Sequence, residues 1–385
     1  MTEPGLIVVG SGPAGVSAAE SFRRHNTDLP VTIVTDDPHQ PYARPPLTKA
    51  YLRGDNEDVA LHDAQWFVER DIEVVHGGPV DGIDPAGHSV SVGATRLSYR
   101  ALVLACGSSP APLPVRGGEN ALLLRSLSDA GRLREASRQA RSAVVIGAGF
   151  IGCEAAASLA MRGINTTLVA PEAAPQTKRL GAEAGRRIRG LLADLGVRYV
   201  GEVAVEGVGN TAVRLDNGVT IDTDLVLAAT GVTPRAGIAA DAGLATEDGR
   251  IVVQADMRTS ADGIYAAGDV ALAFNACARR SLAVEHWQDA MDHGEVAGAN
   301  AAGQSTEWSG VPGFWTTIGE ETLKYHAWGD GYQRSRLIDH GDGFTVWYET
   351  DGEAVGVLTY NADQDYDLAE RLIAERKPAP VPLDK

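Results

Sequence analysis

Two stretches of the chain carry the same order of apolar and polar positions. LIVVGSGPAGVSAAESFRRH (Leu6 to His25) and AVVIGAGFIGCEAAASLAMRG (Ala143 to Gly163) each begin with an unbroken apolar, β-branched run, pass through three spaced glycines and continue into an Ala-rich stretch. The apolar run predicts a strand buried on both faces, and the Ala-rich stretch predicts a packed helix. A second strand is predicted after each: VTIV at Val31 to Val34 and TTLV at Thr166 to Val169. Two βαβ units result. YRALVLACGSSP (Tyr99 to Pro110) and DLVLAATGVTP (Asp224 to Pro234) share a further design, a strand ending in small residues whose backbone can come near a ligand.

From about Gly310 the pattern changes. Trp308, Trp315, Trp328 and Trp347 cluster, and segments such as GFTVWYET and AVGVLTYN alternate. They predict a small sheet of three to five strands, followed by a helix in DYDLAERLIAER and a Pro-rich tail. The expected fold class is α/β: two Rossmann-like dinucleotide-binding domains plus a small α+β C-terminal domain. Residues 1–112 and 240–309 are expected to form the first nucleotide domain, 113–239 the second and 310–385 the third.

In each turn the glycines have separate duties. Gly10 and Gly147 permit the tight turn, Gly12 and Gly149 admit a pyrophosphate to the backbone, and Gly15 and Gly152 let helix pack on strand. The helix N-terminus adds unpaired N–H groups and partial positive charge. Two dinucleotide sites imply two dinucleotides. Because a flavin and a nicotinamide react directly, one site for FAD and one for NAD(P)H is the economical assignment. GIYAAGDVA (Gly263 to Ala271) adds an acid after a strand: Asp269 can accept hydrogen bonds from a polyhydroxyl chain, and Gly268 allows close approach.

Composition narrows the classes. The 385 residues are enough for two or three domains, and 44% hydrophobic with 22% charged is ordinary globular composition. A net charge of -17 disfavours nucleic acid as a partner. No apolar run approaches the ~18 residues of a membrane span, and the chain enters a strand without a basic leader, so a soluble, cytoplasmic protein is expected. Cys106, Cys153 and Cys277 lie far apart and form no CxxC, so neither a metal site nor a local dithiol is signalled.

The order of GSGPAG, PYARPPLTKAYLRG (Pro41 to Gly54), LACG, GAGFIGCE, AATGVTP, YAAGDVA and VEHWQDA resembles the FAD-dependent NAD(P)H ferredoxin and rubredoxin reductases. That group belongs to the glutathione-reductase-like flavoproteins and includes relatives of apoptosis-inducing factor. The resemblance covers nearly the whole chain. It implies that Gly10, Gly12, Pro13, Ala14 and Gly15 hold the FAD pyrophosphate, with Asp36 or Asp37 near the adenosine ribose. Arg44, Pro45 and Lys49 would lie along the flavin, Val80 would meet the adenine through its backbone, and Arg125 would contact FAD. Ala105 and Gly107 of LACG would line the same site, Gly268 and Asp269 would meet the ribityl chain, and Glu285, His286 and Trp287 would face the flavin pyrimidine. Trp315 would sit against the isoalloxazine. Gly147, Gly149, Phe150, Ile151, Gly152 and Gly231 would form the nicotinamide nucleotide site.

The resemblance also implies a catalytic set of Lys49, Glu154 and Trp315, the first two paired near the flavin N5. NADH is expected over NADPH: Ala170 stands where relatives carry an acid, Glu172 follows two residues later, and Lys178 leaves a basic contact open. Other departures are Cys106 in place of the usual Thr and TTIGEETLKYHAWG after the tryptophan. Related thiol enzymes keep a redox cysteine in the stretch corresponding to Asp36 to Leu52, which has none here. Electrons must then leave to an external acceptor. The expected partner is a transiently bound ferredoxin-type carrier feeding an oxygenase such as a cytochrome P450 or a Rieske dioxygenase, with Arg279 and Arg280 as docking charges on a monomer or homodimer. An NADH oxidase or quinone reductase, and an NADH-sensing flavoprotein like apoptosis-inducing factor, remain as alternatives.

Overall fold

Leu6–Val9 lies in the middle of a five-stranded sheet in which every neighbour runs parallel. The strand order is Ile264–Ala266, Ala101–Leu104, Leu6–Val9, Val31–Val34 and Ile72–Val75. Both faces of the three central runs are covered, which is why they read as unbroken apolar segments rather than as alternating ones. This computed structural model describes residues 3–380, so the end of the Pro-rich tail, 381–385, lies outside the described residues. The chain divides into two units. Among the described residues, the first comprises 3–43, 60–109 and 233–313; the second comprises 44–59, 110–232 and 314–380.

In the first unit, helix Pro13–His25 packs on helix Trp287–Ala301 through small residues. A Cβ on Gly294 would stand 2.2 Å from the Ala14 carbonyl oxygen, and one on Gly298 2.1 Å from that of Ala18. The two backbones therefore touch, which any larger side chain would prevent. The same helix buries His293 completely, edge-on to Trp308 with ring centroids 4.3 Å apart. Neither imidazole nitrogen finds a protein partner among the described residues.

Burial lowers the His293 pKa to about 4, against the opposing pull of Asp289 and Asp269. The unfolded chain takes up this proton near pH 6.5, whereas the folded chain resists until about pH 4. The stability it contributes is therefore complete above pH 6.5 and is lost as the pH falls toward 4. By pH 5 the loss amounts to about 2 kcal/mol. His293→Leu should lose less melting temperature between pH 7 and pH 5 than the parent protein, as followed by calorimetry; parallel curves would show that the imidazole is not held neutral.

The second unit repeats the parallel design with four strands, ordered Arg198–Val200, Asn165–Val169, Ser142–Ile146 and Leu225–Ala228. Helix Phe150–Met161 buries an almost continuous run from Gly152 to Leu159, matching its Ala-rich sequence. The C-terminal stretch forms five antiparallel-type strands, ordered Gly313–Ile318, Glu321–Ala327, Glu353–Tyr360, Phe344–Thr350 and Arg334–Asp339, followed by helix Asp363–Ala374. Its residues Phe314, Leu323, Tyr325, Val346 and Leu358 share one apolar core with Val145, Leu159 and Leu168. No described helix is long and apolar enough to cross a membrane.

Candidate functional site

In the first unit the turn Gly10 to Gly15 is shaped by contacts that only glycine permits. Gly10 has φ +110°, and a Cβ there would meet the Ala105 carbonyl oxygen at 2.3 Å. A Cβ on Gly15 would meet the Gly10 carbonyl oxygen at 2.0 Å, so the helix sits directly on the turn. Gly12 is the N-cap of helix Pro13–His25, with no side-chain cap and no acid in the first turn. Its leading N–H groups remain for an anion. Ser11 Oγ meets Thr35 Oγ1 at 2.9 Å, tying the turn to the end of the second strand.

Beyond that strand the two candidate acids separate. Asp37 is committed to Tyr42 Oη at 2.7 Å and to the His39 N–H at 3.1 Å. Asp36 is half exposed and meets Arg235 Nη1 at 3.4 Å, which leaves carboxylate surface for a ribose diol. Asp36 is thus the better placed of the two. Asp269 lies in a single 3-10 turn, Gly268–Val270, and accepts a 2.7 Å hydrogen bond from Ser108 Oγ. A Cβ on Gly268, which has φ +75°, would stand 3.1 Å from that of Ala14. Asp269 is therefore presented beside the start of the Pro13 helix. Ala105 and Gly107 follow the strand Ala101–Leu104, Gly107 with φ +63°. Glu285 pairs with Arg250 at 2.5 Å, His286 Nδ1 meets buried Asp289 at 3.1 Å, and Trp287 opens its helix. Val80 is half-buried in the same unit. An uncapped helix start, a buttressed acid and a turn with no room for side chains fit an FAD diphosphate and its ribityl hydroxyls.

The second unit holds the matching cradle. Gly147 has φ +104°, with a would-be Cβ 2.4 Å from the Ala229 carbonyl oxygen, and Gly152 repeats the helix-on-turn contact at 1.9 Å from the Gly147 oxygen. Gly149 caps helix Phe150–Met161 without any side-chain bond. Gln176 Nε2 donates to the Ala148 carbonyl at 3.2 Å, and Gly231, with φ +112°, is exposed. Ile151, in the first turn of that helix, is 48% exposed although apolar. Glu172 is half-buried, and its carboxylate accepts the Lys178 backbone N–H at 2.9 Å. The acid is therefore held in place beside the turn, while the Lys178 side chain remains exposed.

Helix Phe150–Met161 also organises the segment Arg44–Val59 through a polar stripe at i, i+4 and i+8. Glu154 accepts from Thr48 Oγ1, Ser158 Oγ donates to the Thr48 carbonyl at 2.6 Å, and Arg162 donates to the Leu52 carbonyl at 2.9 Å. Arg44 caps the Pro45–Thr48 turn, whose two prolines hold it stiff, and Lys49 follows. Lys49 Nζ reaches Glu154 Oε2 at 2.7 Å, the two side chains being 16% and 5% exposed. The structure thus brings Lys49 and Glu154 together. Trp315, which follows buried Phe314 on an alternating strand, points outward and is 44% exposed. Phe314 contacts Phe150 at 4.7 Å and lies under Arg179. Arg125 sits beside a capping box in which Ser126 and Asp129 close the start of helix Leu127–Ser137, its own N–H donating to Asp129.

Cys106 and Cys153 are unsuited to electron exchange with a substrate. Burial pushes the Cys106 thiol up to about 11, only partly offset by Arg235, and pushes that of Cys153 higher still, with Glu154 and Glu172 adding to the shift. Both are held as thiols, and the thiolate is the reactive form. Thr48, Thr316, Ser158, Ser108 and Arg235 were not anticipated from sequence. Only Ser158 had a local signal, as a polar residue four positions from Glu154 on an otherwise apolar run.

Comparison with known proteins agrees with this geometry. The sequence profile of the family described as "Pyridine nucleotide-disulphide oxidoreductase" matches residues 4–294. Rhodocoxin reductase of Rhodococcus erythropolis is 33% identical over 97% of this chain and 90% of its own. The ferredoxin--NAD(+) reductase component of the anthranilate 1,2-dioxygenase system of Burkholderia cepacia is 32% identical over 97% of this chain and 95% of its own. Among solved structures, the covalent putidaredoxin reductase–putidaredoxin complex superposes with a TM-score of 0.92 at 28% identity, covering 98% of this chain and 94% of that one.

Proposed function

Since the chain belongs to the pyridine nucleotide-disulphide oxidoreductase family, we propose that it is an FAD-dependent reductase that oxidises NADH and delivers electrons singly to a ferredoxin-type iron–sulfur protein. The observation that carries this reading is the pair of intact glycine cradles, each with an uncapped helix start, in a chain whose Cys106 and Cys153 are held as thiols. FAD, when bound, supplies the conversion of a hydride into two separate electrons. Gly10 to Gly15, Asp36 and Asp269 bind it in the first unit. Gly147 to Gly152 and Ile151 bind and orient the nicotinamide nucleotide in the second, with Lys49, Glu154 and Trp315 as the groups facing the reacting rings. By sequence we assign residues 1–112 with 240–309 to the flavin domain, 113–239 to the NAD(P) domain and 310–385 to a small terminal domain; the compact units divide the chain differently, grouping Arg44–Val59 and the segment from Phe314 with the second unit. The preference for NADH rests on Glu172, whose fixed carboxylate suits a 2′-hydroxyl and repels a 2′-phosphate.

The test is NADH- or NADPH-driven cytochrome c reduction with and without an added [2Fe–2S] ferredoxin, with peroxide measured in parallel. Strong ferredoxin dependence and an NADH advantage are expected. Peroxide formation that ferredoxin does not suppress would favour an oxidase, and a stable reduced complex without turnover would favour an NADH sensor.

Docking is assigned to Arg279 and Arg280. They stand at the hairpin joining Ala271–Asn275 to Arg280–Ala283, and Asn275 fixes the turn by accepting the N–H groups of Cys277 and Ala278. In a chain of net charge -17, a rigid cationic corner can orient an acidic carrier. Reversing both to Glu should raise the ferredoxin KM roughly tenfold at low salt while leaving ferricyanide reduction intact. Equal loss with both acceptors would contradict the assignment.

A further inference from the structure

Glu154 has more hydrogen-bond donors than neutralising one lysine requires. Oε2 accepts from Thr48 Oγ1 at 2.5 Å and from Lys49 Nζ at 2.7 Å; Oε1 accepts from Thr316 Oγ1 at 2.7 Å and from the Thr317 N–H at 3.3 Å. A carboxylate has about four lone-pair sites, so the set is complete. Lys49 is the reverse case. Two of the three donors on its ammonium are used, on Glu154 and on the Pro45 carbonyl at 3.0 Å, and one remains without a partner among the described residues. The direction of that last N–H follows from where Glu154 holds the nitrogen. Where Glu154 holds it follows from the two hydroxyls.

We propose that Thr316, with Thr48, is a positioning residue that locks the Glu154 carboxylate so that Lys49 presents its third N–H in one direction. The inference rests on the reading above that the Lys49–Glu154 pair serves the nicotinamide and flavin site. Two features favour hydroxyls for this task. They saturate Glu154 without adding a second cation, so among the described residues Lys49 remains the only positive charge paired with it. They also come from separate segments: Thr48 ends a turn pinned by Ser158, and Thr316 lies on the buried face of a strand whose next residue back is the outward-facing Trp315. One peptide therefore links the exposed ring to the buried carboxylate.

Thr316→Val keeps the shape and removes only the hydroxyl. In the FAD-loaded protein, NADH-driven bleaching should slow roughly tenfold, the factor for losing one hydrogen bond to a charged group. NADH affinity should stay within about twofold, because this bond does not bind the nucleotide. The midpoint potential of the bound flavin should move in the same direction as in Lys49→Met, and Thr316→Ser should recover most of both. On a Glu154→Gln background, adding Thr316→Val should change little. A Thr316→Val effect of undiminished size on that background would overturn the inference, as would a normal Thr316→Val beside a slow Lys49→Met. If Lys49→Met itself reacts normally, the reading of the pair falls and takes this inference with it.

Discussion

Glu154→Ala should lose both its reactivity toward NADH and a large part of its stability, whereas Lys49→Met should lose mainly the first. The asymmetry follows from what each substitution leaves behind. Without Glu154, a largely buried ammonium, two hydroxyls and an N–H are left facing a cavity. Removing one member of a buried pair in this way costs about 3–5 kcal/mol. At roughly 2–4 °C per kcal/mol for a unit of this size, the melting temperature should fall by about 10 °C. Without Lys49, the carboxylate keeps Thr48, Thr316 and the Thr317 N–H, so the stability loss should be smaller. NADH-driven bleaching in a stopped-flow instrument should slow by about 100-fold in both, the scale for deleting a preorganised charged partner. Two variants with parent-like bleaching would dismiss the pair, and equal melting temperatures would show that the hydroxyls do not hold the carboxylate.

The second large effect separates the two cradles. Gly15→Ala places a methyl group 2.0 Å from the Gly10 oxygen, and Gly152→Ala places one 1.9 Å from the Gly147 oxygen. Neither contact can be relieved by a side chain, because both partners are backbone, so each helix must back away from its turn. The consequences should differ by site. Gly15→Ala should be purified colourless and fail to retain added FAD. Gly152→Ala should remain yellow and lose NADH reactivity by at least about 100-fold, while chemical reduction with dithionite proceeds. Absorbance at purification and a nucleotide titration distinguish them. A yellow Gly15→Ala beside a colourless Gly152→Ala would reverse the assignment of the two dinucleotides.

What could be read from the sequence was what repeats locally. The unbroken runs Leu6–Val9 and Ser142–Ile146, the glycine turns after them and the Ala-rich helices each carry their own pattern, and each forms as expected. The alternation that turns Trp315 outward is equally local: Phe314, Thr316 and Ile318 are buried on one face of the same strand. The network around Glu154 has no such signature. Thr48 lies 106 residues away and Thr316 162, and a threonine on a buried strand face looks the same whether or not its hydroxyl meets a carboxylate. Likewise the Ser108–Asp269 bond spans 161 residues, and Arg235 reaches Asp36 across 199. Nor did composition mark Arg44–Val59 as a piece of the second unit. That grouping depends on Ser158 and Arg162 reaching back to carbonyls, which no periodicity encodes.

The interrupted first unit also sets an order of events during synthesis. Its edge strand Ile264–Ala266 and its helix Trp287–Ala301 leave the ribosome only after about 120 residues of the other unit have been made. At bacterial or eukaryotic elongation speeds, that interval is on the order of ten seconds. Throughout it Ala101–Leu104 is an uncovered apolar edge, the kind of strand that pairs with a neighbouring nascent chain. The prosthetic group must then be acquired late, after the polypeptide is nearly complete, and yield in a heterologous host should depend on how well that waiting edge is chaperoned.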